Sequence, residues 1–231
     1  MKKTIIALLF LFSYITSLTA QDQGVTNLNP LKSAADSLSY SFGLLIGNNL
    51  LTQGVKEINQ DLFIRGFNAG FGSQPPDVSI EDANLIVQNC FNKQITEEAN
   101  MNLQKSAEFL VENQAKEGVV TLPSGLQYKI LEPGEGTSPL ATDQVRVHYT
   151  GTFTDGKVFD SSIERNEPLV FGVNQVIPAW TEALQLMKPG AKWMLYVPPA
   201  LAYGEKGAGN VIGPNQALIF EVQLIEIIPG E

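Results

Sequence analysis

From residue 31 to about residue 118, apolar positions recur three and four residues apart. Leu38, Phe42, Leu45, Ile46 and Leu50 make the first such row, which predicts a helix that stops at Gly54. Phe63, Phe67 and Phe71 make the second, predicting a short helix over 61–71 with Asn59 as its start signal; Gly72-Ser73-Gln74-Pro75-Pro76 then breaks the chain. Ser79-Ile80-Glu81-Asp82 reads as an approximate capping box opening a third, much longer helix over about 80–117. Its row of Val87, Phe91, Ile95, Ala99, Leu103, Ala107, Val111 and Ala115 keeps a strict four-residue step, so it slips by about 40° per step around a 3.6-residue helix. The large residues come early and the middle is rich in Ala, Asn and Gln. The first half is therefore expected to bury a face, and the middle to run as a solvated stalk.

Two pairs of glycines, Gly43 with Gly47 and Gly66 with Gly70, sit one turn apart inside the first two helices. Each interior glycine costs about 1 kcal/mol relative to alanine. Close approach of another helix would offset that cost, and two short helices cannot bury these Phe and Leu rows alone. Intertwined dimerisation is one reading of this region, and a small intramolecular bundle is the other.

From Thr121 onward the period switches to two. The expected strands are 126–132, 144–153, 169–172, 191–197 and 217–227, with Asp155-Gly156 as a hairpin turn. One short helix over about 179–187 interrupts them, ended by Lys188-Pro189-Gly190. The fold class expected is α+β. An all-α segment with a long linker helix would precede a curved antiparallel sheet that holds one short helix against its concave face.

Composition refines this picture. The chain has 231 residues, 44% hydrophobic and 17% charged, which suits a folded domain with a helical accessory region. A net charge of −9 disfavours a phosphate-binding surface, so no nucleic-acid partner is expected. Lys2 and Lys3, the apolar stretch 4–15 and the small-residue site Leu18-Thr19-Ala20 before Gln21 form the pattern of a cleaved signal peptide. The stretch is short for a membrane span, and no stable membrane insertion is expected once it is removed. The expected organisation is thus a signal peptide at 1–20, a helical domain with its stalk at 21–120 and a sheet domain at 121–231. Cys90 is the only cysteine, which excludes an intramolecular disulfide and leaves none beside the cleavage site to carry a lipid.

Parts for covalent chemistry are missing. His148 is the sole histidine and lies on the strand face opposite Val145, Val147 and Tyr149, with no second histidine or nearby cysteine to build a zinc site or a nucleophile pair. Gly134-Glu135-Gly136 and Gly207-Ala208-Gly209 sit in hairpin-like contexts and read as turns, not phosphate loops. What remains is a concentration of Tyr149, Phe159, Phe171, Val176, Ile177, Trp180, Tyr203, Ile212 and Phe220, with Asp160 inside it. Any one of these residues could be ordinary core. However, Val176-Ile177-Pro178 leads into the helix carrying Trp180, and Tyr203 lies in a glycine-flanked loop, so bulky side chains fall at element ends, where pockets form.

At these residues the sequence resembles a known family. Val147-His148-Tyr149-Thr150-Gly151, Asp155-Gly156-Lys157-Val158-Phe159-Asp160-Ser161-Ser162, Val176-Ile177-Pro178-Ala179-Trp180 and Ala202-Tyr203-Gly204 resemble the signature of FKBP-type peptidyl-prolyl cis-trans isomerases, in order and spacing. Phe220-Glu221-Val222 resembles its closing strand. Leu38-Ser39-Tyr40-Ser41, Gly43, Gly47 and the run 121–128 are similar to the Mip/FkpA-like group, in which a helical domain dimerises and a long helix carries each isomerase domain.

The resemblance implies a pocket with Trp180 as the floor under the proline ring and Tyr149, Phe159 and Phe220 as walls. Asp160 would be a polar wall residue oriented by Tyr149 or Arg165. The Ile177 N–H and the Tyr203 hydroxyl would hydrogen-bond the substrate backbone, and Arg165, Leu169, Phe171, Val176 and Ile212 would complete the substrate site. Three positions depart from the family's pattern: Leu169 stands where an aromatic is frequent, Ala208 where histidine is frequent, and Ala179 where glycine usually precedes the tryptophan. The implied activity is isomerisation of X-Pro bonds in exported, proline-containing polypeptides, without metal or cofactor, by a homodimeric periplasmic or secreted protein that also acts as a chaperone. The competing reading is a holdase or binding module with weak isomerase activity or none.

Overall fold

The computed structural model describes residues 31–228. The expected signal peptide at 1–20 lies outside the described residues. Two compact units divide between Asp77 and Val78.

The first unit holds α1 (Ala34–Thr52) and α2 (Gln60–Gly70). Ser33 caps α1 by accepting the Asp36 N–H at 3.1 Å, and Asn59 caps α2 by accepting the Leu62 N–H at 3.0 Å. Gly54 ends the first helix region with a φ of 85°, a left-handed conformation that favours glycine. Neither helix buries a residue, and a Cβ added at Gly43, Gly47, Gly66 or Gly70 would meet nothing within 4 Å. Among the described residues, α1 and α2 therefore bury no face against each other or against the rest of the chain.

The second unit begins with α3 (Ile80–Gln114). Ser79 caps it, accepting the Asp82 N–H at 3.0 Å while its hydroxyl donates to the Asp82 carboxylate at 2.9 Å. The distribution of burial along α3 reverses the expectation. The apolar first half buries nothing, with Val87 and Ile95 both more than half exposed. The polar second half docks against the sheet domain through Ala99, Asn102, Ser106, Phe109 and Asn113, which recur at helical spacing. Side-chain amides and hydroxyls succeed there because they meet loop carbonyls and N–H groups that would otherwise be buried without partners. The slipping four-residue row, by contrast, leaves Leu103 and Val111 facing outward. By contacts within one chain, α3 groups with the sheet unit.

The sheet has seven antiparallel strands: β1 (Val119–Thr121), β2 (Gln127–Glu132), β3 (Gln144–Phe153), β4 (Val158–Ser161), β5 (Leu169–Gly172), β6 (Lys192–Val197) and β7 (Leu218–Ile228). Their order is β1-β2-β6-β7-β3-β4, with β5 also pairing β3. The short helix α4 (Pro178–Leu184) begins with Pro178 in its first turn, and buries Ala179, Trp180, Ala183 and Leu184. These pack with the inward-facing Val145, Val147, Trp193, Leu195, Val197, Phe220, Val222 and Leu224 in one core. Two short strands, β1 and β4, were not among those expected from the period-two pattern.

Candidate functional site

Strands β3, β4, β5 and β7, the N-terminus of α4 and the loop after β6 bring eleven side chains around a cavity of about 510 Å³: Tyr149, Phe159, Asp160, Leu169, Phe171, Gln175, Val176, Ile177, Trp180, Tyr203 and Phe220. Trp180 is buried at the centre. Its ring meets Tyr149 edge-on at 5.2 Å and Phe220 edge-on at 5.4 Å, and Phe171 leans on it at 5.5 Å. Phe159 stands edge-on to Phe220 at 5.6 Å. Three rings therefore fix the indole in orientation, and its buried Nε1–H has no partner among the described residues.

Gly151 makes this arrangement possible. It pairs with Phe220 on β7 and Asp160 on β4, and a Cβ there would lie 2.6 Å from Cζ of Phe159. The glycine ending the run Val147–Gly151 thus lets Phe159 lie across its own strand.

At the rim, the Tyr149 hydroxyl donates to Oδ2 of Asp160, the Arg165 guanidinium donates to Oδ1, and Arg165 also reaches the Tyr149 hydroxyl at 3.4 Å. Burial would raise the Asp160 carboxyl, but hydrogen bonds from Tyr149 and Arg165, with the guanidinium charge, hold it below the ordinary carboxylate value. Burial, followed by the hydrogen bond to Asp160, raises the Tyr149 phenol. Burial and the Asp160 charge raise the Tyr203 phenol too, so both hydroxyls stay protonated. The Ile177 N–H at the start of α4 donates to no acceptor among the described residues.

Of the twelve residues singled out in the sequence, ten line this cavity. Arg165 stands outside the lining and acts on it through Asp160 and Tyr149. Ile212 lies behind the lining, buried in the core, where its backbone bridges Ala208. Gln175 was missed. Its side chain folds over Gly172, where an added Cβ would lie 3.1 Å from the amide carbon, and nothing in its immediate sequence marks it. The three departures also find places. Ala179 is fully buried, Ala208 uses its backbone to close the loop, with N–H to Ile212 O at 2.8 Å, and Leu169 contributes an aliphatic wall. Among the described residues no group of three or more His, Cys, Asp or Glu is placed to hold a metal ion.

An antiparallel sheet packed on one short helix, framing a mostly aromatic cavity, is the arrangement that the family resemblance implies. Comparison with known proteins agrees. The profile described as FKBP-type peptidyl-prolyl cis-trans isomerase matches residues 135–225, and the one described as the domain amino terminal to FKBP-type peptidyl-prolyl isomerase matches 35–130. The peptidyl-prolyl cis-trans isomerase Mip of Coxiella burnetii is 43% identical over 86% of this chain and 89% of its own length. The "Outer membrane protein MIP" of Legionella longbeachae is 41% identical over 87% and 89%. The crystal structure of FkpA from Escherichia coli superposes with a TM-score of 0.70 at 33% identity, covering 87% of this chain and 99% of that one. The chain belongs to the family of FKBP-type peptidyl-prolyl cis-trans isomerases, and X-Pro bond isomerisation is its activity.

Proposed function

We propose that the Trp180 cavity is where the bond rotates, with the substrate proline ring on the indole and Tyr149, Phe159 and Phe220 as walls. The observation carrying this assignment is the indole held by three rings, with the free Ile177 N–H and the Tyr203 hydroxyl at the rim. Rotation breaks amide resonance against a barrier of about 18–20 kcal/mol and takes tens to hundreds of seconds unassisted. No bond forms or breaks, so the site needs no nucleophile. In the twisted amide, nitrogen and carbonyl are decoupled and the group is less polar, so an apolar cavity favours it over the planar ground state. The Ile177 N–H and Tyr203 hydroxyl hold the flanking peptide backbone, while Asp160, tied to Tyr149 and Arg165, keeps the wall rigid. A thousandfold acceleration requires about 4 kcal/mol of such differential binding.

The test is proline-limited refolding of a model substrate. Asp160→Ala and Tyr203→Phe are expected to slow the catalysed phase while the enzyme stays folded. Full activity in both variants would move the site elsewhere.

A homodimer formed through α1 and α2 accompanies this reading. Along α1, Tyr40, Gly43, Leu44, Gly47, Asn48 and Leu51 line a groove of about 520 Å³, and Phe63 and Phe67 of α2 with Phe71 at its C-cap are exposed. A second copy of the same chain is the occupant that a pair of open glycines flanked by apolar residues fits. Chaperone activity toward unfolded, proline-containing chains is the second reading, favoured by the same apolar exposure. It separates from catalysis because Tyr203→Phe would leave suppression of aggregation intact. The leader pattern at 1–20 and the envelope name carried by the Legionella relative support export to the periplasm, or secretion. No helix among the described residues is long and apolar enough to cross a membrane.

A further inference from the structure

Tyr203 stands on the loop that joins β6 to β7, and the return limb of that loop, residues 213–217, lies on α3. Four hydrogen bonds make the seam. Asn102 Nδ2 donates to Pro214 O at 2.9 Å, Ser106 Oγ donates to Asn215 O at 2.9 Å and accepts the Ala217 N–H at 2.8 Å, and Asn215 Nδ2 donates to Ala99 O at 3.3 Å. Asn215 has a φ of 53°, a left-handed conformation that asparagine tolerates better than most residues. Three of its polar groups are engaged, because besides the carbonyl and Nδ2 its own N–H donates to Gly204 O at 2.8 Å across the loop. Gly204 directly follows Tyr203. The approach is close throughout: a Cβ at Gly213 would lie 2.6 Å from the Glu98 carboxylate.

This path runs from the helix to the cavity in two steps, α3 to Asn215 and Asn215 to Gly204. Docking of α3 alone does not require it. Nearer the helix end, Asn113 donates to the Gln127 side chain at 2.9 Å, Gln127 donates to Leu110 O at 2.8 Å, and Phe109 packs on Tyr196, all without touching the loop. We propose that α3, through Ser106, Asn102 and Asn215, positions the Tyr203 hydroxyl over the cavity, so that the long helix sets the turnover of the enzyme as well as carrying it. The proposal rests on Tyr203 acting in the cavity as assigned above. Ser106, Asn102 and Asn215 are positioning residues, and none touches the substrate.

The experiment uses the full chain and an X-Pro peptide assay. Asn215→Asp keeps the left-handed backbone but turns the donor facing Ala99 O into an acceptor. It is expected to lower kcat/KM about three- to tenfold, as is Ser106→Ala. In a Tyr203→Phe background neither change should lower it further, because residues acting through one group are non-additive. Incorporation of 3-fluorotyrosine gives a direct readout: the ¹⁹F resonance that vanishes in Tyr203→Phe should shift in Asn215→Asp. Phe109→Ala, which loosens helix docking away from the loop, should leave kcat/KM within about twofold.

Full kcat/KM in Asn215→Asp, or losses that multiply with Tyr203→Phe, would overturn the proposal. So would a defect in Phe109→Ala as large as that in Asn215→Asp. If Ser106→Ala fails to fold, Asn102→Ala takes its place, removing one hydrogen bond at a half-buried position. Full activity in Tyr203→Phe would remove the tyrosine from the mechanism itself. A Tyr203→Phe defect with normal Asn215→Asp would instead leave the cavity assignment standing and remove only the role of the helix.

Discussion

The aspartate at the cavity rim keeps its charge under conditions that would neutralise many carboxyls. Tyr149 and Arg165 both donate to Asp160 and hold its carboxyl below the ordinary value of 3.8. A folded-state value below the unfolded one contributes stability that is fully present above 3.8 and is lost only as pH falls through the lower folded value. Isomerase activity should accordingly show no acid limb from Asp160 between about pH 5 and 8, measured as kcat/KM across that range. Asp160→Asn keeps the shape and loses the charge, and an about tenfold fall in kcat/KM is expected, with the pH profile still flat. Gly151 makes a different kind of demand. A methyl at Gly151 would meet the Phe159 ring at 2.6 Å, so Gly151→Ala should destabilise the fold by about 1–3 kcal/mol in urea titration and displace the Phe159 wall.

At the scale of elements, legibility followed length and periodicity. The first three helices and the long strands β3 and β7 carry enough residues to show their period, and helix ends are marked by Asn59, Ser79 and Gly54. Strand β4 has only four residues, and Phe159 and Asp160 were legible there through their motif, not through a strand pattern. Gln175 had neither signal, because its place in the wall depends on Gly172, a neighbour whose close approach only the folded chain reveals. The docking of α3 was hidden for a related reason. Ala99, Asn102, Ser106 and Asn113 look like a solvated face, and only their loop partners more than one hundred residues away, or Gln127 on β2, show them to be an interface.

The loop itself supplies a prediction at this scale. Gly207 has a φ of 63°, and a Cβ there would lie 2.1 Å from the Ile212 carbonyl oxygen. Gly207→Ala must therefore open the Ala208–Ile212 bridge, and since Tyr203 stands on the same loop and Ile212 packs in the core, both kcat/KM and the thermal midpoint should fall. An unchanged kcat/KM would separate the bridge from the placement of Tyr203.

For the whole molecule, the decisive contrast lies between the two units. The sheet unit encloses a continuous core, whereas α1 and α2 expose Leu38, Phe42, Leu44, Leu45, Leu51, Phe67 and Phe71 and bury nothing. Short isolated helices are marginal in water, so α1 and α2 need an apolar partner to persist. A second copy is the economical partner, because one surface then covers its own equivalent. Leu44 is 60% exposed in the single chain, so Leu44→Glu should leave the sheet unit of each chain unharmed while placing two carboxylates in the proposed shared groove. Analytical ultracentrifugation should show a dimer for the parent chain and a monomer for Leu44→Glu, with far-ultraviolet dichroism losing helix from α1 and α2 alone. Peptide isomerisation by the monomer should stay near the parent rate, because every residue lining the cavity comes from one sheet unit. Refolding of long proline-containing chains should suffer more than the peptide reaction if two linked sites engage one client, since the second engagement is then intramolecular. A parent chain that sediments as a monomer would remove the dimer, and with it the reason for the open glycines on α1.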